Sequence, residues 1–287
     1  MKKIITEELL EKYGNYLYQE EKSRATITKY LSDLQKLMSY ADGEEITKEL
    51  MIRYKDYLMN EKQYKSSSIN SYLVAANRFF SFMEWYGLGV KTIKVQRSVF
   101  IPEEKELTRS EFKRLVKAAQ DSGKKRLAMM IQTICATGMR VSEIQFLTVD
   151  AAEKGRVTVY NKGKERIILL QQSLRMRLLA YIRKYHIPSG RIFTTASGKP
   201  MDRSYIWREM KKLCGRAGVM ESKVFPHNLR ALFARSHYKM FKDIAKLADI
   251  LGHNNIETTR IYIKVSGLKH RQQLEKLKLL DGLGEFV

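Results

Sequence analysis

Cysteine is scarce: Cys135 and Cys214 are the only two in 287 residues. They stand far apart, in neither a Cys-x-x-Cys pair nor a disulfide framework. That spacing excludes a disulfide-built fold and points to reduced, buried thiols in a cytoplasmic protein. Long apolar runs are missing as well. No stretch of about 18 residues is apolar throughout, which excludes a membrane-spanning helix. The opening "MKKIITEELLEKYGNYL" starts basic but meets Glu7, Glu8 and Glu11, so it lacks the apolar core of a signal peptide. No phosphate-binding glycine loop, His-Glu-x-x-His or carboxylate cluster is recognisable, so no metal and no cofactor are expected. There is no internal repeat and no low-complexity tract.

Acid is short relative to base. Asp and Glu number 31 against 53 Lys and Arg, a formal charge of +22, far beyond what solubility requires. Such an excess implies a polyanionic partner, most readily a nucleic acid. A hydrophobic content of 44% is that of a globular chain. Its length suggests two domains, each able to bury a core.

The first ninety or so residues show helical periodicity only. Leu9, Leu10, Tyr13 and Leu17 recur near helical spacing, as do Ile27, Tyr30, Leu31, Leu34 and Leu37. Two further helices follow in "TKELMIRYKDYLMNE" and "SSSINSYLVAANRFFSFMEWYG", with Thr47 and one of Ser66 to Ser68 as expected N-caps. Tyr, Lys and Arg interleave on the polar positions; the pattern alone also fits a solvated helical bundle, and the overall charge favours a phosphate-facing surface. After Gly87 and Gly89 the helical pattern is lost. The charged stretch around Pro102 places a linker at 91–105 between a helical domain, 1–90, and a second domain, 106–287. Thr108 and Glu111 stand at capping-box spacing. "RVTVYNKGKERIILL" reads as a β-hairpin turning at Asn161–Lys164. The chain is therefore expected to be mainly α with a small β-sheet.

Several polar residues in the second domain occur at suggestive spacings. Arg140 and Glu143 are three apart in "ATGMRVSEI", read as part of a helix; His227 and Arg230 are three apart in "PHNLR". Lys162 lies near the tip of the hairpin. His253 follows the helix "DIAKLADILG", which Gly252 suits as a terminator. Asn254 or Asn255 is placed to cap the next short helix, which carries Tyr262. Each residue taken singly is more often a surface charge, a local ion pair or a packed aromatic. For Tyr238, only packing is expected.

Together these segments resemble those of the tyrosine recombinase (phage integrase) family, most of all its short Xer-type members. "ATGMRVSEI" resembles the first arginine motif and "NKGKERIILL" the lysine hairpin. "HNLR" resembles the His-x-x-Arg motif, and "LGHNNIETTRIYIKV" the stretch leading to the nucleophilic tyrosine. All four stand in the family's order, between about Leu107 and Val265. The resemblance implies a helical core-site-binding domain followed by an α+β catalytic domain. The sequence departs from the pattern at two places. Ala231 stands where a histidine often follows the second arginine. The hairpin is one residue shorter than the common Gly-Lys-Gly-x-Lys form, which leaves both Lys162 and Lys164 as candidates; Lys162 is favoured because it directly precedes Gly163.

On this resemblance Arg140, Lys162, His227, Arg230, His253 and Tyr262 form the active site, and Glu143 orients Arg140 or a neighbour. Two guanidiniums suit a pentacoordinate phosphorus, since each offers a planar, permanently charged fork to paired oxygens. His253 adds a hydrogen bond. A phenol, with a reference pKa of about 10, needs a base, here His227, and the departing 5′-oxygen needs an acid, here Lys162. Attack by Tyr262 rather than water stores the phosphodiester energy in a 3′-phosphotyrosyl link that another 5′-hydroxyl can reopen. The implied substrate is a double-stranded DNA recombination site, synapsed by a homotetramer. The tail carries Leu274, Leu277 and Leu280 near one face, as an exchange helix would, although packing on its own domain fits the same pattern. No arm-binding domain precedes the helical one, which favours resolution or inversion over integration. Two other activities use the same fold: type IB topoisomerase-like relaxation and non-catalytic DNA binding. A complete residue set speaks against the second.

Overall fold

The computed structural model describes residues 2–94, 105–161, 164–195, 197–263 and 274–277. The chain forms two compact units, Met1–Arg97 and Ser98–Val287, with separate apolar cores. Residues 95–104 of the expected linker lie outside the described residues.

The first unit contains α1 (Glu7–Gln19), α2 (Arg24–Ala41), α3 (Lys48–Asp56) and α4 (Ser66–Phe82). Three of these helices start at a hydroxyl side chain that accepts an otherwise unpaired amide: Thr6 from Leu9, Ser23 from Thr26 and Thr47 from Leu50. α4 departs from expectation. Lys65 holds the cap position with extended backbone and no side-chain cap bond, so the three serines fall inside the first turn. Leu10, Leu34, Leu50, Leu73 and Phe79 meet in the core. Beyond α4, Asn77 exchanges two hydrogen bonds with Val90, and Asn70 does the same with Ile93. These pairs satisfy the extended backbone there and hold it against the helix.

The second unit opens with α5 (Arg109–Asp121), started by the capping box between Thr108 and Glu111, and α6 (Lys125–Thr137). A 3₁₀ turn, Val141–Phe146, and α7 (Val149–Lys154) lead to β1 (Arg156–Asn161) and β2 (Lys164–Leu169). The strands pair antiparallel from Arg156↔Leu169 to Asn161↔Lys164. Alternation buries Val157, Val159 and Ile168 and exposes Tyr160, Ile167 and Leu169. Then come α8 (Gln172–Lys184), α9 (Arg203–Lys211), α10 (Cys214–Ala217), α11 (Pro226–Phe241), α12 (Ile244–Leu251) and α13 (Ile256–Ile263). The fold is mainly helical with one small sheet. No helix among the described residues is long and apolar enough to cross a membrane.

One local expectation is corrected. Arg140 and Glu143 do not share a helix face, because Gly138 ends α6 in left-handed backbone (φ 66°). Arg140 is extended, and the Glu143 carboxylate accepts from its amide at 2.7 Å and from its guanidinium at 2.9 Å. The spacing of three is that of a cap around a 3₁₀ turn.

Candidate active site

The site assembles from the ends of five elements. Pro226, whose fixed φ suits a first helical position, starts α11 and leaves His227 and Arg230 in its first turns. Asn228 secures that start by donating to the carbonyls of Lys105 and Lys223. Gly252 ends α12 in left-handed backbone, releasing His253 onto a connection. The Asn255 side chain accepts from the Glu257 amide at 2.7 Å at the start of α13, which carries Tyr262.

Arg230 is the centre. It is 2% exposed, and its guanidinium donates to the Gly138 carbonyl, to the Leu251 carbonyl at 2.7 Å and to His253 Nε2 at 2.9 Å. Its Nε lies 3.4 Å from the Tyr262 hydroxyl, a long and therefore weak contact. An arginine only donates, so His253 Nε2 is the acceptor. The proton then sits on Nδ1, which donates to Thr259 Oγ1 at 2.8 Å. The Tyr262 ring is buried among Ala231, Ala234, Leu247 and Leu251. It stacks on His253 at 5.8 Å between centroids and lies 5.3 Å from His227.

Positive charge dominates. Burial, followed by the charges of Arg230, Arg140 and Arg166, brings His253 down to about 4. His227 reaches solvent, yet the protein enclosing its inner side, then Arg230 and Arg140, lowers its pKa too. Burial alone would raise the Glu143 carboxyl. The Arg140 amide and the Arg166 and Arg140 guanidiniums outweigh it and hold the group below the ordinary range. Both imidazoles are therefore neutral at pH 7, able to accept protons, beside three guanidiniums and one carboxylate. Such a surplus attracts an anion, and a phosphodiester fits it.

The structure thus brings together Arg140, Glu143, His227, Arg230, His253 and Tyr262. Lys162 lies outside the described residues; Lys164 opens β2 opposite Asn161. Two participants were not anticipated. Arg166 donates to Glu143 Oε2 and to the Ile250 carbonyl, each at 2.6 Å. Its signal was the strand alternation, which puts this charge in phase with buried Ile168. Thr259, fully buried, had no signal beyond standing one helical turn before Tyr262.

Two outcomes follow. A Cβ at residue 138 would sit 2.5 Å from a ring carbon of Phe233, in backbone that L-residues resist. Gly138→Ala should therefore lose about 2–4 kcal/mol, read from urea unfolding. The second concerns acid. Both histidines have depressed pKa values, so the folded chain binds fewer protons than the unfolded one. Stability should be full above about pH 6.5 and decline as pH falls toward 4. His237, lowered chiefly by burial, adds to the decline. Melting temperatures across that range should show a shallower fall for His253→Gln than for the native chain; identical curves would reject the assignment.

Comparison with known proteins supplies a context. Residues 105–268 match the phage integrase family and residues 10–97 the phage integrase N-terminal SAM-like domain. Tyrosine recombinase XerA of Pyrococcus furiosus is 31% identical over 98% of each chain. The crystal structure of XerA recombinase superposes with a TM-score of 0.53 at 27% identity, covering 96% of this chain and 99% of that one. A lambda integrase dimer bound to a COC′ core site gives a TM-score of 0.72 at 17% identity, covering 91% of this chain and 78% of that one. At that identity the likeness is one of fold.

Proposed function

The chain belongs to the phage integrase family of tyrosine recombinases, and from that premise we propose that it cuts and rejoins duplex DNA at a specific site through Tyr262. The scissile phosphate enters beside Arg140, which is 34% exposed and open to a ligand, and Arg230. Their guanidiniums meet its non-bridging oxygens, and His253, whose Nε2 accepts from Arg230, holds that guanidinium in place. The Tyr262 oxygen attacks phosphorus as His227 takes the phenolic proton. The bond to the 5′-oxygen breaks, a hairpin lysine, Lys162, protonates that oxygen, and a 3′-phosphotyrosyl link remains. Return attack by a 5′-hydroxyl, from the same or an exchanged strand, restores the phosphodiester and frees the tyrosine. No external energy is required, because each step exchanges one phosphoester for another.

The observation that carries this reading is the contact set of Arg230. Residues 138, 251, 253 and 262, remote in sequence from Arg230, converge on one buried guanidinium beside a phenol. Binding along the duplex is assigned to the first unit, 1–90 in the sequence division. There Lys36 and Lys29 lie over the Tyr72 ring, and Arg78 over Tyr30. Assembly into a tetramer on paired sites is part of the proposal. Leu274 and Leu277 are more than half exposed, as suits a segment offered to a neighbouring protomer; Leu280, with the tail before residue 274 and after residue 277, lies outside the described residues.

The test is adduct trapping. Protein expressed in the cells that encode it should be recovered under denaturing conditions with DNA attached, and sequencing should return a recurrent site. Single-site attachment followed by strand exchange supports recombination. Sequence-independent relaxation of supercoils would instead indicate a topoisomerase. No adduct under any condition would leave a DNA binder.

A further inference from the structure

We infer that Arg166 is a positioning residue for strand cleavage: it sets Arg140 and the Arg230–His253 pair in register with one another, without itself touching the substrate. The inference rests on the recombinase reading above. Four observations carry it.

The first is connectivity. Glu143 is 1% exposed, and its Oε1 accepts from the Arg140 guanidinium. Its Oε2 accepts from both the Arg140 amide at 2.7 Å and Arg166 Nη2 at 2.6 Å. The orientation of Arg140 is thus fixed by a carboxylate that Arg166 in turn fixes. The second is reach. The other arm of the same fork, Nη1, donates to the Ile250 carbonyl at 2.6 Å. The neighbouring Leu251 carbonyl accepts from Arg230, and His253 follows two residues later. One planar group therefore ties the first arginine motif to the segment that holds the second arginine.

The third is steric. The Arg166 side chain runs so close to Gly252 that a Cβ there would lie 2.4 Å from its Cδ. The Leu-Gly-His glycine is thus needed for the passage of Arg166 as well as for its left-handed backbone (φ 66°). The fourth is cost. Arg166 Nε is buried without a hydrogen-bond partner, and the side chain is 16% exposed. A buried guanidinium that leaves one donor unsatisfied is held for its two remaining arms. Both arms bind groups that orient active-site residues, so a misplaced fork would shift the charges facing the phosphate. Shifts on the order of 1 Å can cost about a hundredfold in rate.

The probe is a synthetic duplex of the host sequence recovered with the adduct, made with an ordinary scissile phosphate or with a neutral methylphosphonate in its place. A neutral centre asks less of Arg140, so a defect in placing Arg140 should matter less there. Arg166→Gln should bind the duplex with native affinity and melt as a folded protein. It should form adduct about a hundredfold more slowly on the phosphodiester and about tenfold or less on the methylphosphonate. Arg166→Lys, which keeps the charge but loses the two-armed fork, should fall between native and Arg166→Gln with the same substrate dependence. Should Arg166→Gln fail to fold, the substrate ratio for Arg166→Lys decides in the same way. Equal slowing on both substrates would overturn the inference by showing general disorder of the site. Native rates in a folded variant would overturn it too. Absence of adduct with the native chain would instead overturn the recombinase reading itself, so the two failures are distinguishable.

Discussion

Tyr262→Phe should yield a folded protein that binds its DNA site and forms no covalent adduct, with cleavage lowered by about 10⁴-fold or more. The substitution removes one oxygen and leaves the ring. That ring is 6% exposed and packs among Ala231, Ala234, Leu247 and Leu251, contacts that phenylalanine keeps. The lost bond to Arg230 Nε is 3.4 Å long, so the stability cost should be about 1 kcal/mol or less. Affinity should hold, because Arg140 and Arg230, the guanidiniums proposed to meet the phosphate, are untouched. A denaturing gel of protein mixed with labelled duplex reads the first effect and equilibrium binding the second. Persistent adduct would assign the nucleophile elsewhere. Tyr238 is the natural control, since it packs against the same cluster and Tyr238→Phe should cleave at the native rate.

How much of this was readable beforehand varied with the physics involved. Periodicity and caps are local, so the helices starting at Thr47 and Thr108, the hairpin and the end of α12 at Gly252 were legible from spacing alone. Arg140 and Glu143 show where spacing misleads. Three residues apart fits a helix face and a capping box equally, and only the left-handed Gly138 decides between them. The inward charge of Arg166 was visible as a break in strand alternation, but its partners, Glu143 and Ile250, are 23 and 84 residues away. Thr259 had still less to show. A buried hydroxyl that selects a tautomer of His253 is a tertiary relation, and no spacing rule encodes it.

Arg230→Ala and Arg140→Ala should separate catalysis from stability. Both remove a guanidinium from the proposed phosphate site, and each should lower cleavage by about 10³–10⁵-fold, the size seen when a transition-state arginine is lost. Their effects on folding should diverge. Arg230 is 2% exposed and satisfies the Gly138 and Leu251 carbonyls together with His253 Nε2. Alanine there leaves these acceptors unpaired around a cavity, a loss of about 3–5 kcal/mol by the usual cost of orphaned buried polar groups. Arg140 is 34% exposed, and its removal leaves Glu143 still paired with Arg166. The expected cost is about 1 kcal/mol. Arg230→Lys tests the geometry further. A single ammonium on a flexible stem keeps the charge, yet it cannot present the planar fork that meets three separate acceptors. It should therefore recover part of the stability lost in Arg230→Ala and little of the rate. Chemical unfolding together with single-turnover cleavage measures both quantities. If Arg230→Ala melted like the native chain, the buried guanidinium would not be the keystone of the site, and the convergence on which the mechanism depends would have no energetic basis.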